Sequence, residues 1–203
     1  MAEEENMLVD KTEYLTAGIH IGMKSCTAFM KRFVYKMRDD GVSVFNLKML
    51  DERLLTAAKF ISGFSKIMVV SRKEAAGKAV TVFAKTIGAK AIAGRFPPGT
   101  LTNPSFKEFY EPDLLVVADP LVDEQAVKEA KKKRIPIVAI CNTFNGARDI
   151  DLVVPMNNNG KKALALAFWI LSREILKERG QLTGKFKMKI EDFGGETGPA
   201  EPV

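Results

Sequence analysis

The sequence predicts an α/β domain, a parallel sheet with helices on both faces, and three observations carry that expectation. Strand-like and helix-like segments alternate from about residue 43 to residue 179, the pattern of parallel strands joined by helical crossovers. Several of the strand-like runs are apolar at consecutive positions, as strands buried on both faces are. The chain has 203 residues, 46% of them hydrophobic, which is enough for one sizeable core and too apolar for disorder.

The elements follow in order. Residues 42–47 read as the first strand. Residues 50–64 read as a helix, with Leu54, Leu55, Ala58 and Ile61 at helical spacing and Gly63 near its end. Residues 67–70 are a short β-branched run, and 73–87 return to helical spacing through Ala76, Val80, Phe83, Ala84 and Ile87, with Gly88 placed to stop the helix. Residues 89–93 are a weaker strand. The stretch 94–111 carries Pro97, Pro98, Gly99 and Pro104, which makes it the main loop. Buried strands at 114–118 and 137–140 flank a helix over 123–132, and 152–154 is short enough for an edge strand. Residues 160–179 form the longest helix, with Leu164, Ala167, Phe168, Leu171, Ile175 and Leu176 on one stripe and Gly180 at its end. No internal repeat or second domain is visible. The chain divides into an acidic N-terminal tail (1–13), the α/β domain (14–180) and a flexible C-terminal tail (181–203) with several glycines.

Net charge is +6, and its distribution says more than its sum. The two tails are acidic, which leaves 27 basic and 16 acidic groups, a charge of +11, on residues 14–180. Such an excess attracts polyanions, of which nucleic acid is the commonest inside cells. Solubility is the plainer explanation, but it would not confine the excess to the folded part. The longest mainly apolar stretch, 163–171, falls short of the ~20 residues of a membrane span. Glu3, Glu4 and Glu5 stand where a signal peptide would be positive. A cytoplasmic protein with no membrane contact is expected. Cys26 and Cys141 are the only cysteines, so no disulfide framework or zinc spacing is present.

Folds of this class bind ligands in loops at the C-terminal ends of their strands, and catalytic readings belong there. Asp119 follows a buried strand, yet Asp ahead of Pro120 and a helix is equally a turn or capping residue. His20, the only histidine, lies between Ile19 and Ile21 and reads as a packed, hydrogen-bonded side chain rather than a general base. Cys141 ends a buried strand and reads as core. Asn142, Thr143, Asn145, Asn157, Asn158 and Asn159 offer a phosphate–sugar site, though turn chemistry explains them as well. No glycine-rich phosphate loop follows a strand. The expectation is no enzyme, no catalytic residue, no metal, no cofactor and no small-molecule substrate. The alternative is a phosphosugar- or nucleotide-binding enzyme using Asp119 and Thr143.

The stretch from 24 to 38 holds Lys24, Lys31, Arg32, Lys36 and Arg38 without an acidic residue, interleaved with Phe29, Phe33 and Tyr35. Cations at this density contact phosphates, and exposed aromatics stack on unpaired bases. The competing reading packs Phe33 and Val34 inward and leaves the charges in water. Arg95, Thr102 and Asn103, in the loop after a strand, offer further donors to a phosphate chain; a self-packed loop is the alternative. Lys131, Lys132, Lys133 and Arg134 end a helix, where cations are stabilising without any ligand.

Taken together, several segments resemble one family. They are Ala17-Gly18-Ile19-His20-Ile21-Gly22, Phe45-Asn46-Leu47, Gly94-Arg95-Phe96-Pro97-Pro98-Gly99-Thr100-Leu101-Thr102-Asn103, Asp119-Pro120 and Asp123-Glu124-Gln125-Ala126. Ile135-Pro136-Ile137-Val138-Ala139-Ile140-Cys141-Asn142-Thr143, Asp151-Leu152-Val153-Val154-Pro155-Met156-Asn157-Asn158 and Ser172-Arg173-Glu174-Ile175-Leu176-Lys177-Glu178-Arg179-Gly180 continue the likeness. In this order and spacing they resemble the small-subunit ribosomal protein S-two family over residues 14–180. The resemblance implies a flavodoxin-like parallel sheet, no catalysis, and docking onto small-subunit ribosomal RNA and neighbouring ribosomal proteins near the junction of head and body. Bacterial members insert a long helical hairpin after the Thr-Asn of the loop, whereas here the next strand follows Asn103 within about ten residues. That departure resembles the archaeal or eukaryotic branch. Met23 stands where bacterial relatives often carry a second His, so a two-His metal site is not implied.

Overall fold

The computed structural model describes residues 7–182 and 186–195; residues 1–6, 183–185 and 196–203, which hold much of the two expected tails, lie outside the described residues. In chain order it contains α1 (Lys11–Ala17), a 3-10 turn (Met30–Phe33), β1 (Val34–Met37), β2 (Ser43–Phe45), α2 (Leu47–Ser62), β3 (Ile67–Ser71) and α3 (Glu74–Ile87). β4 (Lys90–Ala93), β5 (Leu114–Val117), α4 (Glu124–Lys133), β6 (Ile137–Cys141), β7 (Leu152–Pro155), α5 (Lys161–Glu178) and a final 3-10 turn (Ile190–Phe193) follow.

Five strands make one parallel sheet in the order β4-β3-β5-β6-β7. Numbering only those strands, the order is 2-1-3-4-5, the flavodoxin-like winding. Side chains alternate across the sheet. Ile67, Val69, Leu114 and Val116 join a core with α2, α3 and α5, while Met68, Val70, Leu115 and Val117 join a second core with α4. On that second face no helix links β4 to β5. Phe96 and Leu101 of the long loop are buried there instead. β7 lies at the sheet edge, as its length predicts.

The first expected strand needs correction. Only Ser43–Phe45 is extended, and it pairs antiparallel with β1 in a separate two-stranded sheet. Its other side is occupied by the preceding loop: Phe45 N donates to His20 O (2.8 Å) and Gly22 N to Ser43 O (2.8 Å). With both edges satisfied, β2 has no backbone groups left for the parallel sheet. Asn46 ends the strand and starts α2 three residues earlier than expected, its Oδ1 accepting Lys48 N at 3.0 Å.

Residues on both sides of 14–180 pack against the domain. Leu8 and Val9 pack on the core, Leu8 N donates to Asp51 Oδ1 (3.1 Å), and Arg173 donates to Leu8 O (2.6 Å). Within the segment expected to be a flexible tail, residues 186–195 lie against α3 and α5. Phe193 is buried, Phe186 meets Trp169 edge-on at 5.7 Å, and Trp169 Nε1 donates to Met188 O at 2.7 Å. The apolar Met188, Ile190 and Phe193 give this stretch surface to bury, which its glycines obscure. Among the described residues no helix is long and apolar enough to cross a membrane.

Candidate nucleic-acid interface

The chain leaves β3 toward β4 on one side and returns to β5 on the other, so the crevice beyond β3 and β5 is where this winding normally takes a ligand. Here the protein's own polar groups fill it. Asp119, fully buried after β5, sets Oδ2 2.6 Å from Lys73 Nζ, while its Oδ1 accepts from Leu121 N (2.9 Å) and Asn145 Nδ2 (2.9 Å). Lys73 also donates to Asn158 Oδ1 (3.2 Å) and Asn159 Oδ1 (2.6 Å). Asn145 Oδ1 accepts from Asn142 N (2.7 Å) and Asn158 Nδ2 (3.1 Å). Thr143 Oγ1 accepts from Met23 N (2.9 Å), and Thr27 Oγ1 donates to Asn145 O (3.0 Å). Residues 18–27 thus pass over the ends of β6 and β7 and close the crevice. The approach at Gly22 demands glycine: a Cβ there would fall 2.5 Å from Thr143 Cγ2 and 2.8 Å from Ser43 O.

This geometry answers the catalytic alternative. Asp119 and Thr143 are committed to internal partners and present no open site to a phosphosugar. Asp119 is a turn residue, as one reading held, and in addition a buried counter-ion. Asp123 is buried beside it and accepts Arg72 N at 2.7 Å. Burial pushes its carboxyl up to about 6, against hydrogen bonds from the Arg72 and Asp119 backbone, with the Asp119 charge adding to the rise. Burial lowers the half-buried His20 below the usual imidazole range, partly offset by a hydrogen bond to the Tyr14 backbone. The Cys141 thiol is buried and pushed up by burial and by Asp119, away from nucleophilic use. Among the described residues no group of three or more His, Cys, Asp or Glu side chains is placed to hold a metal.

The cationic segment lies on the outside of the 3-10 turn and hairpin. Met30, Phe33 and Phe45 are buried beneath it, whereas Lys24, Lys31, Arg32, Lys36 and Arg38 are exposed. Of the three interleaved aromatics, Phe33 packs inward as the competing reading held. Phe29 is half-buried under the Arg32 guanidinium, 3.9 Å from its ring centre, and Arg32 Nε donates to Phe29 O at 3.1 Å. Tyr35 stands 70% exposed. Arg32 is therefore held with one edge fixed and its remaining N–H groups outward.

Arg95, Thr102 and Asn103 lie in the loop whose Phe96 and Leu101 share one buried cluster with Met30, Phe33 and Phe45. That loop leaves β4 at the sheet edge and crosses back over the same face toward α4. Arg95 is exposed, and Asn103 Oδ1 accepts Ser105 N at 3.1 Å. Thr102 Oγ1 donates to Glu129 Oε2 (3.2 Å). Glu129, buried on α4, also accepts from Gly99 N (2.7 Å), Leu101 N (3.1 Å) and Gln125 Nε2 (2.8 Å). Burial raises its carboxyl, but the donors from Gly99, Gln125, Leu101 and Thr102 outweigh that and hold it below the ordinary value. At the end of α4, Lys131 pairs with Asp149 at 2.7 Å and Lys133 with Glu111 at 4.0 Å.

Sequence reasoning missed Lys73 and Glu129. Glu129 had a signal, since it shares the stripe of the buried Ala126 and Ala130 at helical spacing. Lys73 had none, because only the fold brings it opposite Asp119.

The chain is a flavodoxin-like domain whose ligand crevice holds its own polar side chains and whose cations crowd the exposed segment 24–38. The family model for Ribosomal protein S2 matches residues 14–109 and 106–178. The small ribosomal subunit protein uS2 of Ignicoccus hospitalis is 49% identical over 180 residues, covering 87% of this chain and 85% of the relative. That of Staphylothermus marinus is 47% identical over 178 residues, with 87% and 81% covered. That of Thermoplasma acidophilum is 43% identical over 194 residues, with 94% and 98% covered. The chain belongs to the ribosomal protein S2 family, with relatives of archaeal type, and its role is structural and non-enzymatic.

Proposed function

We propose that this protein is a structural component of the small ribosomal subunit, binding small-subunit ribosomal RNA and neighbouring ribosomal proteins near the junction of head and body and so supporting subunit assembly and translation. The observation that carries the reading is the run of five exposed cations without an acidic residue over residues 24–38, seated on the buried Met30, Phe33 and Phe45. Exposed Lys and Arg side chains contact phosphate oxygens. Lys24, Lys31, Arg32, Lys36 and Arg38 take the phosphates in this reading, and Arg95, Thr102 and Asn103 form a second contact.

The test is co-sedimentation of the purified chain with small subunits of its own organism at high salt. Retention of the wild type, and its loss on Lys24→Glu, Lys31→Glu and Arg32→Glu together, is the expected result. Equal retention of the triple variant would remove the hairpin from the interface.

A further inference from the structure

Between α1 and the hairpin of β1 and β2 lies an open groove of about 1150 Å³. Its floor is aliphatic, formed by Val9, Leu15, Ile21, Val44 and Leu47, with Tyr35 along one wall. Leu15 is 45% exposed and Ile21 38%, so apolar surface of the groove is left in water. The charged residues lining it are Lys11, Lys36, Arg38 and Lys48 against Asp10, and Arg38 also meets Asp40 at 4.0 Å. β1 is the end strand of its small sheet. β2 is paired by β1 on one side and by the Ile21 segment on the other, and the groove takes lining residues from all three.

We propose that this groove takes an extended acidic segment of another small-subunit protein, with aliphatic side chains against Leu15, Ile21 and Val44 and carboxylates against Lys11, Lys36 and Arg38. Four features select that occupant. The groove exceeds the ~300–1,000 Å³ that small-molecule pockets enclose. The aliphatic lining of Leu15, Ile21 and Val44 suits apolar side chains spaced along an extended segment. The cationic rim repels basic segments and attracts acidic ones. RNA fits less well, because phosphates gain nothing from Leu15, Ile21 and Val44, and base stacking needs flat faces that only Tyr35 and the half-buried His20 supply. The basic segment is thereby divided: Lys24, Lys31 and Arg32 stay with the RNA, while Lys36 and Arg38 border both surfaces. The inference rests on the ribosomal reading for where the partner is found.

The probe is the full chain with a photoreactive benzophenone amino acid in place of Tyr35, assembled into small subunits of its own organism and irradiated. The expected product survives ribonuclease, and mass spectrometry of it yields a peptide rich in Asp and Glu from a different subunit protein. Leu15→Ser with Ile21→Ser should lower its yield about tenfold, the equivalent of ~1.4 kcal/mol, while retention in subunits stays within about twofold and the melting temperature confirms folding. An adduct to RNA, to residues 1–6 of the same chain or to a second copy, or no adduct in subunits that contain the chain, overturns the proposal. Failure of the chain to enter subunits at all overturns the ribosomal reading as well, and so separates the two failures.

Discussion

Removing the Asp119 carboxylate would leave the Lys73 ammonium, with only 16% of its side chain exposed, among amides that cannot neutralise it. Asp119→Ala is expected to cost about 3 kcal/mol, read from urea unfolding, because a broken buried pair leaves an uncompensated charge. Gly22→Ala tests the closure of the crevice differently. Its Cβ meets both a side chain and a backbone oxygen, so a loss of roughly 2 kcal/mol is expected. Thr143→Ser, which deletes the Cγ2 contact, should restore only part of it. Asp123 gives a pH signature. Its folded pKa of about 6 lies above the ordinary 3.8, so the native state keeps the proton after the unfolded chain has released it. The stability contribution is full below about pH 4 and is lost as pH rises through about 6. Wild type should therefore lose ~3 kcal/mol relative to Asp123→Asn between pH 4 and 7, at 1.36 kcal/mol per pKa unit. None of these partners is visible in the sequence, which shows Asp before Pro but not the lysine 46 positions earlier that meets it.

The elements were far more legible. β3, β5 and β6 announce themselves as unbroken apolar runs, and α3 and α5 by stripes that end at Gly88 and Gly180. In α3 that stop is conformational, since Gly88 takes φ 73° and caps the helix in the left-handed region. The region before residue 43 was silent for a physical reason: α1 has 7 residues and β1 has 4, too few for a period to declare itself. β2 was legible as a strand but not as an antiparallel one, because pairing is decided by the segment around His20 and not by its own residues. The proline-rich loop was legible only as irregular. Its shape comes from Glu129, whose carboxylate gathers three loop donors. Since hydrogen bonds depress that carboxyl, its contribution is present above the ordinary Glu range and is lost as pH falls through the depressed value. Glu129→Ala is expected to raise amide hydrogen exchange over residues 96–103 while leaving β3 and β5 protected.

For the molecule as a whole, the charge on residues 14–180 and the ordered family segments pointed to the ribosome before any fold was known. What they did not supply is geometry. The exposed cations of residues 24–38 lie over Met30, Phe33 and Phe45, which share one buried cluster with Phe96 and Leu101 of the Arg95 loop. Composition cannot show that, because the arrangement depends on how residues 18–27 are held at the ends of β6 and β7 through Thr143, Asn145 and Asn157. The central claim is that the exposed cations of residues 24–38 neutralise ribosomal RNA phosphates. Affinity of the chain for its small-subunit RNA fragment, titrated over a range of salt, tests it most directly. The log of affinity should fall linearly with the log of salt with a slope of roughly −4, and Lys31→Ala with Arg32→Ala should make that slope shallower by about 2, near 1 per phosphate contact. A slope that the double substitution leaves unchanged would contradict the account.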